Sequence, residues 1–461
     1  MASVPKQDFS LERDPSTSRP LARKISGPKN SGRYAQDDTN RRSAAHIMKR
    51  VRTQRFLEPA RCTRLVLISL SVCLVSIIAL AGDSAWVPNR SANDPTTRKG
   101  FEEFYNLEYD KSIKDFETVM QAHPDDPFAV NHVLSSVIFK ELYKIGALDT
   151  EAYATESFIN KKYLQPLDPK VHDRVEQLST RSIQLCDARL SSNPNDTNAL
   201  YARGVAKALR STYMGMAEHA WFAALRNAIG ARHDHERVLE LDPKYIDAKT
   251  SVGVDLYVIG SLSWPVRVAG SVAGLSGNKQ KGLDYLRDVA AHGSPEVAWD
   301  AKIALALFLR REQKYDEALQ IVGGMYQAFP RNFLVATEYA HLLNAAGHGP
   351  QAIAAYKKIV AGCRSNGFTV CRMEIPAYGL GEAMSGQRDF QGAADAYELA
   401  ASSAIEPEFK QRATLKAGEM YDAMHRRDAA LEKYKAVIAA NSNTEMAEMA
   451  RHYMKQAYTI Q

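Results

Sequence analysis

Catalytic signatures are missing from this chain. It has no G-x-S-x-G elbow, no phosphate-cradling G-x-x-x-x-G-K-[ST] loop and no H-E-x-x-H helix. The residue patterns of α/β-hydrolase acyl transfer, P-loop nucleotide binding and zincin hydrolysis are thereby excluded. Cysteine is scarce, at 5 of 461 residues, too few for a fold stapled by disulfides, and Cys363 and Cys371 have no histidines at zinc spacing. Charged residues make up only 24%, and 26 glycines and 19 prolines are not enough to indicate disorder throughout. The one dense group of ligand-type residues is His233-Asp234-His235. On a helix, positions i and i+2 point about 200° apart, so the two imidazoles cannot share a metal ion. No enzyme activity, cofactor or metal is expected.

Basic charge is also absent from most of the chain, despite a formal net charge of +6. Residues 1–64 carry 15 Lys/Arg against 6 Asp/Glu, a local +9, so everything after Arg64 sums to 6 − 9 = −3. This balance gives no support for nucleic-acid binding by the main domain. The arm over 1–64 is rich in Ser, Arg, Pro, Gln and Asp, and poor in aliphatic residues until Ile47. It cannot bury enough apolar surface to offset chain entropy, so it is expected to be disordered.

One long uncharged run stands out: Leu65 to Gly82, 18 residues reading LVLISLSVCLVSIIALAG. As a helix it extends about 27 Å, close to the roughly 30 Å of a bilayer core. Arg52, Arg55, Arg61 and Arg64 precede it and Asp83 follows. The positive-inside rule then keeps the amino terminus cytoplasmic and exports the rest. In a bacterium this is a single-pass inner-membrane protein with a periplasmic main domain. The same residues fit a signal peptide: Met48-Lys49-Arg50 resembles its start, and Ala79-Leu80-Ala81 suits cleavage near Ala81. Residues 83–97 are expected to be a linker.

After the linker a spacing recurs: a small residue, an apolar or aromatic one four later, and Pro twelve after the first. It appears as Ser112/Phe116/Pro124, Ala231/His235/Pro243, Ala318/Val322/Pro330 and, weakly, Ser182/Cys186/Pro194. From Ala318 to Ala352 the frame repeats at 34 residues. The best unit is Ala306, Leu309, Tyr315, Ala318, Val322, Met325 and Pro330; the next is Tyr339, Ala340, Leu343, Gly347, Ala352, Tyr356 and Ile359. Units at Gly381/Met384/Ala393/Tyr397/Ala400 and Gly418/Tyr421/Ala430/Tyr434/Val437 follow, and Thr444 to Tyr458 reads as a polar capping helix. Over roughly residues 98–459 this pattern resembles the tetratricopeptide repeat (TPR) family. The resemblance implies an all-α, right-handed solenoid of helical pairs, following one amino-terminal transmembrane helix. Small residues let paired helices approach, the aromatic fills the groove above them, and Pro stops the second helix.

The amino-terminal half is more diverged. Gly100, Phe104, Tyr109, Ser112, Phe116 and Pro124 make a first unit; residues 127–165 give two helices, and a long helix runs from about Lys170 to Ser192. Gly204, Ala231, His235 and Pro243 make a stretched unit whose second helix is expected to begin near Gly215. His235 there occupies the aromatic slot. Gly253, Gly282, Leu286 and Val289 belong to a unit split by an insertion, Gly260 to Asn278, with four glycines and one charge. That insertion is either a loop folded over the solenoid or an apolar flap that meets a partner or a membrane. Cys363 and Cys371, eight apart in a turn-rich link, are either a loop-closing disulfide or two free thiols.

Repeat scaffolds bind extended peptides or partner helices on the face lined by the first helix of each pair. The candidates on that face are Asn332, Glu338, His341 and Asn344, then Glu374, Tyr378 and Glu382, then Lys416, Glu419 and Asp422. The expected function is therefore a scaffold for protein or peptide partners at a cell envelope. The alternative is an exported solenoid that holds a glycan or lipid under the 260–278 segment.

Overall fold

A computed structural model of the chain describes residues 90–148, 163, 165–261 and 276–460. The basic arm, the run at 65–82 and the core of the insertion, 262–275, lie outside the described residues. Among the described residues no helix is long and apolar enough to cross a membrane.

The described residues form seventeen α-helices and no strand. Helix α1 (Pro95–Tyr105) pairs with α2 (Tyr109–Ala122), α3 (Pro127–Lys144) with α4 (Pro169–Ser192), and α5 (Thr197–Met216) with α6 (Trp221–Leu241). Then α7 (Lys249–Gly260) pairs with α8 (Lys279–His292), α9 (Pro295–Arg311) with α10 (Tyr315–Ala328), and α11 (Phe333–Ala345) with α12 (Gly349–Arg364). Finally α13 (Glu374–Gly386) pairs with α14 (Phe390–Ser403), α15 (Pro407–Ala423) with α16 (Arg427–Ala440), and α17 (Glu445–Lys455) caps the stack. This is a TPR-like all-helical solenoid.

Local chemistry sets the helix ends. Three first or long helices open on Asp-Pro, at 94–95, 126–127 and 168–169, where the Asp side chain accepts a backbone N–H two residues on. Proline at the first helical position gives up an N–H that has no helical partner anyway. In five of the eight pairs the turn from first to second helix is a Schellman motif with one residue in the left-handed region: Leu107, Gln313, Gly347, Arg388 and His425, at φ of 62°, 58°, 81°, 61° and 59°. In each, the next N–H reaches back to the first helix, as Lys314 N does to Leu309 O at 2.8 Å.

Within four pairs an aromatic ring of the second helix lies directly on a glycine of the first. A Cβ placed on Gly100, Gly204, Gly381 or Gly418 would come within 2.5, 2.5, 2.7 and 2.6 Å of Phe116, His235, Tyr397 and Tyr434. His235 is thus a core residue: Nε2 donates to Tyr201 O at 3.2 Å and Nδ1 accepts from Ser251, while His233 points outward.

Three boundaries differ from the sequence expectation. Helical structure is present before residue 98: Arg90–Asn93 forms a 3-10 turn, and Ser91 N donates to Asp126 Oδ2 at 3.0 Å. Gly215 lies in the last turn of α5, and the second helix starts at Trp221. Leu209, Tyr213 and Met216 keep the buried periodicity going, and Ala220 N closes the turn on Met214 O. Of the two helices expected in 127–165 only α3 falls among the described residues. The ends of the insertion meet: Asn278 N donates to Leu256 O at 2.8 Å, and a Cβ on Gly277 would fall 2.2 Å from Gly260 N.

Candidate partner-binding face

The first helices present one face at helical spacing. On α9 it carries Asp300, Ile303, Leu307 and Arg310, and on α11 Leu334, Glu338 and His341. Arg310 links the two helices. Its guanidinium donates to Glu338 Oε2 at 2.9 Å and to His341 Nε2 at 2.7 Å, and Arg310 and Glu338 are both buried. Because arginine only donates, His341 is neutral on Nε2 and carries its proton on Nδ1.

A distant part of the chain sits on this face. The turn joining α1 to α2 brings Tyr105 OH within 2.7 Å of Asp300 Oδ1 and 2.8 Å of the Glu296 carbonyl. Asn332 Nδ2 donates to Tyr105 O at 2.6 Å, Arg331 N to Asn106 Oδ1 at 3.1 Å, and Arg331 Nε to Glu108 Oε1 at 3.0 Å. The Tyr105 ring lies 5.0 Å from Phe329, which meets Trp299 edge-on at 5.0 Å. Burial and the adjacent Asp300 carboxylate hold the Tyr105 phenol far above its ordinary pKa. Beside the turn a pocket of about 120 Å³ is lined by Phe104, Leu107, Phe139, Ile303, Leu307 and Leu334.

Farther along, the same face on α13 and α15 carries a second cluster. The Tyr378 ring meets Tyr397 at 5.2 Å and Phe409 at 5.4 Å, and the Arg412 guanidinium lies 5.2 Å from Tyr378 and 4.8 Å from Phe409. Tyr397 OH donates to Glu382 Oε1 at 2.6 Å. Lys416 Nζ donates to Glu419 Oε2 at 2.9 Å, leaving the buried Glu419 Oε1 without a partner. Burial pushes the Glu419 carboxyl above its usual range against the pull of Lys416. It pushes the Tyr378 phenol up to about 12. Burial alone would lower Lys416, but the Glu419 carboxylate outweighs it and the ammonium is strengthened. Glu382 and Arg412 are exposed, with Tyr378 and Lys416 half-buried between them.

The structure therefore divides the ten sequence candidates. It brings Tyr378, Glu382 and Lys416 together on one surface, with Glu419 buried against Lys416 and Asn344 exposed at the end of α11. It removes the others from a free groove. Asn332 caps α11 through Val335 N and is buried under the Tyr105 turn. Glu338 and His341 are engaged by Arg310. Glu374, 2% exposed, is held by Arg372 at 2.8 Å in the link before α13. Asp422 accepts from Tyr434 OH, Arg427 and Tyr458 N, all at 2.9–3.0 Å, and so fastens the carboxyl-terminal end. Tyr105, Asp300, Arg310 and Arg412 were missed by sequence reasoning. One signal for the first three is present: Ile303 and Leu307 are apolar where the equivalent positions of later repeats hold Tyr378 and Glu382, which marks a covered stretch of the face.

Cys363 and Cys371 are joined in a disulfide, Cα–Cα 5.5 Å, closing the link after α12. Cys186 is buried, and burial drives its thiol pKa far up, as suits a small apolar core group.

No protein-family profile matches the sequence, and no curated protein matches it. Solved structures similar to this chain include PilF of Pseudomonas aeruginosa, at 15% identity over 50% of this chain and 92% of that one, with a TM-score of 0.33. Yeast Tom70 is 13% identical over 78% and 94%, with a TM-score of 0.31. A human IFIT1 dimer with PPP-AAAA is 11% identical over 84% and 89%, with a TM-score of 0.36. The TPR-like reading rests on the chain's own helix pairs and repeat frame rather than on these likenesses.

Proposed function

We propose that this chain is a non-enzymatic scaffold that binds a segment of a protein partner on the face of α13 and α15. One observation carries the reading: two repeats earlier, the same face already holds polypeptide. The Tyr105–Glu108 turn lies on α9 and α11, held by Asp300 of α9 and by Asn332, the N-cap of α11. Tyr378, Glu382, Arg412 and Lys416 continue that surface with a flat aromatic, two cations and a carboxylate. These groups suit a peptide's backbone carbonyls, N–H groups and charged side chains.

The run at 65–82 supports an envelope location, with the amino terminus cytoplasmic and the solenoid periplasmic, or a secreted chain after cleavage near Ala81. A disulfide between Cys363 and Cys371 suits an oxidising compartment on that side.

The test is crosslinked co-purification of the full-length tagged protein from native membranes, with mass spectrometry of its partners and its own amino terminus. The doubly substituted Tyr378→Ala, Glu382→Lys chain should lose the partner, whereas Glu240→Lys, an exposed charge reversal on α6, should keep it. Equal recovery with both would remove the face from consideration. A mature chain beginning near Gly82 would replace the anchor with a cleaved signal.

A further inference from the structure

A clamp ties the two helices of the partner-binding face together, and it stands next to the disulfide. Arg372 follows Cys371 directly, in the link before α13. Its guanidinium donates to Glu374 Oε1 at 2.8 Å and to Glu406 Oε1 at 3.2 Å. Glu374 is the first residue of α13, and Glu406 is the residue before α15. One side chain therefore holds the starts of both helices. The surface groups lie just behind those starts: Tyr378 one turn into α13, and Phe409 and Arg412 in the first two turns of α15. The Tyr378 ring lies 5.4 Å from Phe409 and 5.2 Å from the Arg412 guanidinium, so the spacing of the helix starts sets this part of the surface.

Little besides the disulfide places Arg372. The link over 365–373 contains no helix or strand. Among the described residues, the backbone from Phe368 to Cys371 makes a single hydrogen bond, accepted by Val370 O from Tyr143 OH at 3.2 Å. The Phe368 ring adds one edge-on contact with Phe333. The Cys363–Cys371 bond fastens the far end of the link to the last turn of α12, one residue before the clamp.

We propose that forming this disulfide sets the α13–α15 face in its binding geometry, so that the scaffold becomes competent for its partner only once oxidised. This rests on the function reading above. The oxidant is an external disulfide, small or protein-borne. One cysteine thiolate attacks it and releases one thiol, leaving a mixed disulfide; the second cysteine then displaces the other thiol. The chain gives up two electrons and two protons, and the external disulfide leaves as two thiols. Both cysteines are partly exposed, so the exchange partner can reach them. In the dithiol chain the nine-residue ring is open and the link's few contacts do not hold Arg372 in place. Glu374, 2% exposed, is then a buried carboxylate without its cation, an arrangement that a folded chain avoids. Fraying the first turn of α13 into water relieves it, and Tyr378 moves away from Phe409 and Arg412 as a result.

The experiment compares the full-length protein oxidised with glutathione disulfide and reduced with a phosphine, by hydrogen exchange and mass spectrometry. Reduction should quicken exchange about tenfold more in 374–382 and 406–413 than in 390–403 of α14. Arg372→Met, with the disulfide intact, should reproduce that pattern, because it removes the clamp alone. In crosslinked co-purification from native membranes, the wild-type chain should recover its partner about tenfold better than the Cys363→Ser, Cys371→Ser chain. Reduction acts on protein already folded, so it carries the test if the double variant fails to fold. Faster exchange confined to 365–373, a uniform rise across α13, α14 and α15, or wild-type exchange in Arg372→Met would overturn the proposal. Equal partner recovery by the two chains would do so as well. Recovery of no partner by either chain would count against the function reading, while the exchange pattern still decides the switch.

Discussion

Tyr105 and Asp300 stand 195 positions apart in sequence and share a 2.7 Å hydrogen bond. In a solenoid most contacts join neighbouring repeats, so stability is close to a sum of local terms. This bond, with those from Asn332 and Arg331, ties the first helical pair to the fifth and sixth. The carboxylate is the stronger acceptor for the single phenolic proton, and both partners are buried.

Tyr105→Phe keeps the ring on Phe329 and removes only the hydroxyl. The expected loss is about 1.5–3 kcal/mol, the range for a hydrogen bond to a charged group. Hydrogen exchange should quicken across α1 and α2 more than across α15 and α16. Uniform exchange in wild type and variant would show that the first pair is held by its own neighbours alone.

The turns between paired helices make a second prediction. Gln313, Arg388 and His425 adopt a left-handed backbone where glycine pays no steric cost, and their side chains are not needed by the Schellman bonds. Replacing any of the three with glycine should stabilise the fold by about 0.5–1 kcal/mol, net of the glycine's greater unfolded-state entropy. Gly347→Ala should do the reverse by a similar amount. Thermal melts of the four variants decide it, and a destabilised Gln313→Gly would mean that the αL strain is smaller than the entropy term.

These turns also show why part of the fold was legible and part was not. The 34-residue frame announced the helical pairs because it encodes direct contact: Gly381 must be small for Tyr397 to lie 2.7 Å from where its Cβ would be. Such short-range complementarity is written in spacing. The left-handed turns were invisible, since only Gly347 among five carries the residue the geometry favours. The closure was invisible for another reason. Nothing in a repeat period specifies which two distant repeats meet, so Asn332 and Glu338 read as groove residues although the chain covers one and pairs the other. Tyr378, Glu382 and Lys416 could be placed on one face because that placement follows from helical register alone.

The link after α12 gives a third prediction. The Cys363–Cys371 disulfide closes a loop of nine residues, counting both cysteines. On the chain-entropy view its removal should cost about 2–3 kcal/mol. Phe368, within the loop, meets Phe333 edge-on at 5.7 Å, and Tyr143 OH donates to Val370 O at 3.2 Å. Reduction with dithiothreitol, or the double Cys→Ser substitution, should therefore lower the urea midpoint and expose the 365–373 backbone to proteolysis. An unchanged midpoint on reduction would place the link outside the cooperative unit.

Acid should destabilise the solenoid through its buried histidines. His132 is fully buried between Phe101 and Phe116, each ring 5.0 Å away, and neither of its nitrogens has a partner. Burial lowers its pKa to about 3, and that of His235 to about 4. The folded chain thus binds fewer protons than the unfolded chain, whose histidines titrate near 6.5. The stability is present above pH 6.5 and is lost as pH falls toward 3–4. For His132 alone the loss between pH 7 and pH 5 is about 2 kcal/mol. Asp255 opposes this trend: burial raises its pKa to about 7, so its contribution declines as pH rises from near 4 through 7. The two effects are separated by comparing wild type with His132→Phe at each pH, because Asp255 is common to both. The gap between them should widen by about 2 kcal/mol from pH 7 to pH 5 in favour of the variant, and His132→Leu provides the same comparison with less added volume. A gap independent of pH would mean that His132 charges as readily in the folded chain as in the unfolded one, and that its site admits water.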